Sequence, residues 1–326
     1  MQATRTHAAV LSAPKAAVAI EAIHLGEPAP GEVMLRMEAC GICHSDVFVT
    51  TLERLPLAPV TLGHEGIGRL VAIGAGVEGW ALGDRAGITF LGATCGACEW
   101  CQSGRERFCP KQTNFGYTLQ GGLSDFVIAP AAALVRVPEG LAAEVAAPLC
   151  CAGWTAYRAL AEADLDAGQS VAVFGYGGLG HLALQLARHR GLRVSVSDPS
   201  EPKREQAKED GAQLDARGVD AALVFTAATA AIPQAFRSLK RGGTLVLVGL
   251  SVSQYELPLV DTVLKGITVK GSYLGTRGDL AKIFSLAAEG VLRPRIHTHA
   301  LGETPELLEA LRRGEIVGRA VIVWPV

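Results

Sequence analysis

"SVAVFGYGGLGHLALQLARHR" (170–190) opens with SVAVF, a short apolar run of the kind that forms a strand buried on both faces. Gly175-x-Gly177-x-x-Gly180 follows, and then a helical stretch with Leu179, Leu182, Ala183 and Leu186 on one face. A strand that runs through G-x-G-x-x-G into a helix is a dinucleotide-binding fingerprint. Gly175 permits the tight turn, Gly177 lets a pyrophosphate approach the backbone, and Gly180 lets helix and strand pack closely. The free N–H groups at the helix start bind phosphate. Asp198 ends the next predicted strand, where a carboxylate accepts hydrogen bonds from the adenosine ribose hydroxyls and repels a 2′-phosphate. The stretch therefore reads as a site for NAD rather than NADP. Lys203 is a further cofactor-side candidate, although EPKREQAKED around it is charged nearly throughout and reads as a solvated helix face.

The same grammar extends downstream. LRVSVSD (192–198), AALVF (221–225) and TLVLVGL (244–250) read as buried strands, and SEPKREQAKED as a surface helix stopped by Gly211. Strand and helix alternating in this way predict an α/β fold with a doubly wound parallel sheet, the Rossmann arrangement. The segment between Gly211 and the strand at 221 is barely long enough for any crossover helix. Upstream the pattern differs. GEVMLRMEAC (31–40), GIGRLVAIG (66–74), LSDFVIAP and ALVRVP are short β-runs broken by Gly and Pro, which predicts a β-rich domain. AAPLCCAGWTAYRAL (146–160) reads as the helix that begins the change.

The chain has 326 residues, 49% of them hydrophobic, and suits two domains. A formal net charge of -2 provides no basic field for nucleic acid or an anionic membrane. No apolar run is long enough for a membrane span, and MQATRTHAAV lacks the pattern of a secretory signal. The expected location is the cytoplasm, where closely spaced cysteines read as metal ligands or catalytic thiols rather than disulfides.

Four of the 8 cysteines fall in CGACEWCQSGRERFC (95–109), as Cys95, Cys98, Cys101 and Cys109 with C-x2-C-x2-C-x7-C spacing. Four thiolates close a tetrahedral zinc shell, so this loop predicts a structural metal lobe; an iron–sulfur cluster uses similar ligands. The other four lie in CGICHSD (40–46) and PLCCAG (148–153), with GHEGIG (63–68) between. A Cys, a His and a second Cys from separate segments can hold zinc with one position open, the catalytic arrangement.

These motifs, in this order, together with GDRAGI, GGLSDFVI, CAGWTAYRAL, FGYGGLG, LVGL, GSYLGTRGD and GEIVGRAV, resemble the zinc-dependent alcohol dehydrogenases of the medium-chain dehydrogenase/reductase superfamily, most closely the tetrameric microbial branch. The resemblance implies a β-rich GroES-like catalytic domain over 1–153 and 274–326, a zinc lobe at about 92–112, and a Rossmann domain over 154–273. It implies two Zn2+ per chain. The catalytic ion would be held by Cys43, His64 and Cys151, with Glu65 able to approach it and Asp46 fixing the His64 tautomer. Cys40 and Cys150 are then buried small hydrophobes. His44 and Arg319 would meet the cofactor pyrophosphate. Gly178 and Leu179 would join the glycine turn, and Thr155, Val248, Gly249, Ser272 and Leu274 would hold the nicotinamide. Phe90 and Leu52 would line the substrate pocket.

The activity so implied is reversible hydride transfer between an alcohol and NAD(H), with Ser45 accepting the alcohol proton. In the family a histidine a few residues on completes the relay; the stretch here reads VFVTT (47–51), with Thr51 in the relay histidine's place. Leu52 and Leu55 predict room for alcohols larger than ethanol. The expected partners are a small alcohol or aldehyde and further copies of the chain, as dimer or tetramer. Two other readings stand beside this one: an NADPH-dependent aldehyde reductase on the same fold, which Asp198 opposes, and a catalytically retired nucleotide-binding protein, which the filled ligand positions oppose.

Overall fold

The computed structural model describes residues 4–251 and 253–325. The chain forms two compact units, one of Met1–Cys151, Thr276–Ala288 and Pro294–Val326, the other of Ala152–Gly275 and Glu289–Arg293.

The first unit begins with β1 (Thr4–Leu11), β2 (Ala19–Leu25), β3 (Glu32–Gly41), α1 (His44–Thr50), β4 (Val60–Thr61), β5 (Glu65–Ile73), β6 (Arg85–Ile88), α2 (Glu99–Gln102), β7 (Phe126–Pro130), β8 (Val135–Arg136) and α3 (Ala143–Pro148). β1 lies between β2 and β4 in a small antiparallel sheet. Val33, Leu35 and Met37 alternate along β3 and bury against Ile88, Phe115 and Val127. This one-faced alternation fixes the register of β3 with β5. That register places Cys40 opposite Gly66 and Gly41 opposite Glu65, so Cys43 and His64 emerge from neighbouring strand ends.

The second unit holds α4 (Trp154–Ala163), β9 (Ser170–Phe174), α5 (Gly180–His189), β10 (Arg193–Ser197), α6 (Glu201–Glu209), β11 (Gln213–Leu214), β12 (Val219–Val224), α7 (Ala231–Ser238), β13 (Leu239–Leu247), α8 (Leu259–Lys265) and β14 (Thr268–Gly271). Its sheet is parallel throughout, in the order β11-β10-β9-β12-β13-β14, with α7 burying Ala235 and Phe236 against Ala172, Phe174, Ala222 and Val224. This is the predicted doubly wound arrangement.

The short segment after Gly211 has a specific resolution. β11 and β12 lie about 14 Å apart, three strand spacings. The five peptide links from Leu214 to Val219 reach at most about 18 Å. The connection therefore runs nearly taut, turning through left-handed residues Asp215 (φ 61) and Gly218 (φ 63), and no helix fits in it. Ser195 and Ser197 of β10 pair in register with Ala172 and Phe174, so polar residues stand in the row that a covering helix would require to be apolar.

The chain returns to the first unit through α9 (Arg277–Ala288), β15 (Ile296–His299), α10 (Thr304–Arg312) and β16 (Arg319–Val323). β16 joins β3, completing a sheet in the order β15-β16-β3-β5-β6-β8 with β7 also on β3. The helix read over 146–160 is interrupted: α3 ends at Pro148, one π-helical turn spans Leu149–Gly153, and α4 follows. Among the described residues no helix is long and apolar enough to cross a membrane.

Candidate active site

Cys43 caps the start of α1. Asp46, one turn in, folds back so that Oδ2 accepts the Cys43 N–H at 2.9 Å and Oδ1 accepts the Gly63 N–H at 3.0 Å. Oδ1 also faces His64 Nδ1 at 3.2 Å. This fixes the imidazole with Nδ1 as donor and Nε2 carrying the lone pair. The π-helical turn, opened by the missing N–H of Pro148, carries Cys151 to the same place, with its Sγ 3.9 Å from that of Cys43. Ligand atoms of Cys43, His64, Glu65 and Cys151 all lie within 4.8 Å of one another.

The arrangement passes a test for zinc. His64 Nε2 is buried with no hydrogen-bond partner, an arrangement that costs about 1–3 kcal/mol unless something binds there. Zinc–sulfur bonds of about 2.3 Å at tetrahedral angles set sulfurs about 3.8 Å apart, against about 2.05 Å in a disulfide. The 3.9 Å between Cys43 and Cys151 fits the metal. The contact with Cys151 holds the Cys43 thiol well below its ordinary pKa, while the same contact raises Cys151. Cys40 and Cys150 are fully buried, which raises both thiols, and neither joins the cluster.

Glu65 is fully buried, and burial lifts its carboxyl to about 7 against the pull of Arg319. One oxygen pairs with Arg319 Nη2; the other has no partner. A Cβ at position 41 would fall 2.0 Å from Glu65 Oε2, so Gly41 is what makes room for this carboxylate. Arg319 is 3% exposed, so it is not a surface charge near the chain end. His44 is exposed at the start of α1, and Ser45 Oγ is 3.8 Å from Cys43 Sγ. Phe90 sets its ring edge-on to His64, with centroids 5.3 Å apart. Leu52 is half-buried beyond the end of α1, whereas Leu55 packs into the core beside Val47 and Val49. Thr51 is exposed and donates to the Phe48 carbonyl.

In the cysteine lobe, Sγ separations are 3.5 Å for Cys98–Cys101 and for Cys95–Cys109, and 3.9 Å for Cys95–Cys101. These too match a tetrahedral shell. All four cysteines are free of disulfides. Backbone N–H groups of Ala97 and Cys98 donate to Cys95 and bring its pKa down to about 6, while against the backbone N–H of Cys101, burial and the neighbouring thiols push Cys98 up to about 11.

In the second unit, Gly175 adopts φ 95, and a Cβ at Gly180 would meet the Gly175 carbonyl oxygen at 2.1 Å. Gly177 faces open space, leaving the cradle that a phosphate would fill. Gly178 and Leu179 continue the turn, with Leu179 as the cap of α5. Asp198 accepts the Tyr176 N–H at 2.7 Å and the Ser200 N–H at 2.9 Å, which orients its carboxylate at the end of β10. Arg204 bonds the carbonyls of Asp198 and Pro199, and Lys203 is half-buried beside it. Val248 and Gly249 both donate to the Val224 carbonyl, and Ser272 donates to that of Leu247, so all three stand at the carboxyl ends of the sheet. Thr155 is buried on α4. Leu274 is held at φ 49, a conformation costly for a bulky side chain.

Some partners had no signal in the linear sequence. Glu65 and Arg319 are separated by most of the chain, and the Tyr176 hydroxyl, which donates to Asp210 at 2.5 Å, looks like any variable position of the glycine turn.

Residues 29–139 match the family described as alcohol dehydrogenase GroES-like domain, and residues 212–289 match that described as zinc-binding dehydrogenase. An alcohol dehydrogenase of Geobacillus stearothermophilus is 40% identical over 97% of this chain and 98% of its own. Among solved structures, a cobalt- and zinc-bound thermostable alcohol dehydrogenase from Pyrobaculum aerophilum matches with a TM-score of 0.90, 27% identity, and coverage of 98% of this chain and 100% of that one. Acetophenone reductase from Geotrichum candidum, in complex with NAD, matches with a TM-score of 0.89, 28% identity, and coverage of 99% and 98%. With its GroES-like domain, its parallel nucleotide-binding sheet and these relatives along nearly its whole length, the chain is an oxidoreductase that belongs to the zinc-type alcohol dehydrogenases of the medium-chain dehydrogenase/reductase superfamily.

Proposed function

We propose that the protein interconverts small alcohols and their aldehydes or ketones using NAD(H), with a catalytic zinc on Cys43, His64 and Cys151 and a structural zinc on Cys95, Cys98, Cys101 and Cys109. The buried, unpartnered Nε2 of His64, facing two thiols, carries this reading. When bound, the catalytic ion supplies Lewis acidity to the alcohol oxygen and NAD accepts the hydride.

The residues around them do the rest. Asp46 keeps the His64 lone pair aimed at the ligand position. Arg319 holds one oxygen of Glu65, leaving the other near the ligand atoms as an alternative donor during exchange. Ser45 takes the proton from the substrate hydroxyl. No histidine follows in VFVTT, so another group or water completes the relay, or proton transfer is slower. Phe90, edge-on to His64, forms one wall of the substrate space, and Leu52 leaves it open to alcohols larger than ethanol. Asp198 selects NAD. Lys203, the glycine turn, Thr155, Val248, Gly249, Ser272, Leu274, His44 and Arg319 complete the cofactor contacts.

The same reading includes self-association. Among the described residues β14 ends the parallel sheet with one edge unpaired, and α8 before it exposes Leu259 at 74%, Val260 at 70%, Val263 at 69% and Leu264 at 66%. An apolar face of this kind beside a free strand edge favours a second copy. All eight cysteines stand outside disulfides, which suits the cytoplasm.

The test is an absorbance assay of NAD(H) across primary, secondary and aromatic alcohols and their carbonyls, run in parallel with NADP(H), with zinc counted per chain. Turnover with NAD(H) and two zinc ions is expected. Preference for NADP(H), or a single zinc with no turnover, contradicts the proposal.

A further inference from the structure

The cysteine lobe grips the beginning of α9 at two points. Glu106, in the turn between Cys101 and Cys109, accepts the backbone N–H of Arg277 through Oε1 at 3.1 Å. Arg277 in turn reaches back with Nη2 to the carbonyl of Gly92, at 3.2 Å. Gly92 is the root of the lobe, where it and Ala93 bond to Thr113 across the base. α9 is otherwise capped within itself: Asp279 accepts the Thr276 N–H at 2.8 Å and donates its own N–H to Thr276 Oγ1 at 3.2 Å. A helix start already capped in this way does not need a carboxylate from a loop 171 residues away.

The position of that helix start gives the grip a purpose. The chain runs straight into it from Ser272–Gly275. Ser272 is tied to β13 by its N–H, Leu274 is held at φ 49, and Gly275 lies so close to the Trp154 ring that a Cβ would fall 2.2 Å from Nε1. A bulky residue keeps a left-handed backbone only where its surroundings fix the chain on both sides. Trp154 and β13 fix one side, and the lobe, through α9, fixes the other.

We propose that Glu106 and Arg277 are positioning residues for the cofactor: they transmit the rigidity of the metal-held lobe to the backbone of 272–275. This rests on the assignment of that backbone to the nicotinamide made above. The lobe then acts on affinity as well as stability. With the grip released, the segment samples other backbone conformations, and cofactor binding must first order it. The adenosine half of the cofactor, read by Asp198 and the glycine turn, does not depend on this segment.

The experiment uses the full-length, zinc-loaded protein and the variants Glu106→Ala, Glu106→Gln and Arg277→Met. Binding of NADH and of ADP-ribose, which lacks the nicotinamide, is measured by calorimetry, and amide hydrogen exchange is followed over 272–279. Losing a charge-assisted hydrogen bond should weaken NADH about tenfold in Glu106→Ala and in Arg277→Met, while ADP-ribose changes by less than about twofold. Exchange over 272–279 should quicken in both. Glu106→Gln, which keeps an acceptor oxygen, should recover most of the affinity. NADH binding unchanged in both truncations, or NADH and ADP-ribose weakened equally, overturns the proposal and leaves the lobe a structural element only. If the wild-type protein binds neither ligand, the cofactor assignment fails first and this inference with it.

Discussion

Replacing Asp46 by asparagine keeps the shape of the side chain and changes what it can accept. In the wild type, three N–H groups converge on one carboxylate: those of Cys43 on Oδ2, and of Gly63 and His64 on Oδ1. An asparagine oxygen can serve only one side, so its NH2 group must face either the Cys43 N–H or the Gly63 and His64 donors. Asp46 is 1% exposed, and water cannot relieve that clash. One buried donor left unmet costs about 1–3 kcal/mol. Because two of the three donors belong to the proposed zinc ligands Cys43 and His64, much of this cost should fall on metal affinity, which drops about 10–100-fold when such a partner is lost. The lobe, whose hydrogen bonds involve none of these groups, should keep its ion. Dialysis of Asp46→Asn against graded zinc buffers, with metal counted per chain, should show one site released early and one unchanged, with kcat falling as the first ion leaves. Both ions released together, or neither, would refute the reasoning.

Asp198→Ala should raise the KM for NAD by about tenfold or more, since the ribose loses two hydrogen bonds, and should narrow the preference over NADP; parallel kinetics with both cofactors check this. Cys98→Ser should release the lobe metal and lower Tm by several degrees while the second zinc stays, as metal counting and calorimetry would show. Asp220 is desolvated, yet Lys240 and the N–H and hydroxyl of Ser170 hold its carboxyl well below the usual range. A depressed carboxylate stabilises the fold above its unfolded pKa of about 4, and the contribution fades as pH falls through the folded value. Asp220→Asn should therefore cost about 1–3 kcal/mol at pH 7, with a gap from wild type that shrinks below pH ~4; denaturation at both pH values measures it.

The features legible in the sequence were those that local spacing encodes. Gly175, Gly177 and Gly180 announced a strand-turn-helix because Gly175 takes a left-handed φ and Gly180 packs on the Gly175 carbonyl, while Gly177 leaves space for a ligand. Cys95 to Cys109 announced a metal because four sulfurs so closely spaced can close on one tetrahedral ion. CGICHSD, GHEGIG and PLCCAG could be grouped as three weak signals, but which cysteine of each pair belongs to the site came only from the resemblance, since the site forms only where β3, β5 and the π-helical turn converge. That turn was not visible: Pro148 sits in an otherwise helical pattern, and the added residue per turn that re-aims Cys151 leaves no mark on apolar periodicity. β11 was missed because two residues carry no alternation. Gly41 drew no reading in the sequence, yet it is the space for Glu65. The pairs Glu65–Arg319 and Glu106–Arg277 join residues whose separation no window spans.

The most direct test of the account is a crystal structure with anomalous maps collected on both sides of the zinc edge. It should show two zinc peaks, one ringed by the sulfurs of Cys95, Cys98, Cys101 and Cys109, the other bound to Cys43 Sγ, His64 Nε2 and Cys151 Sγ with solvent in its fourth position. A second peak whose fourth ligand is a protein sulfur, or no peak between those three side chains, would contradict it.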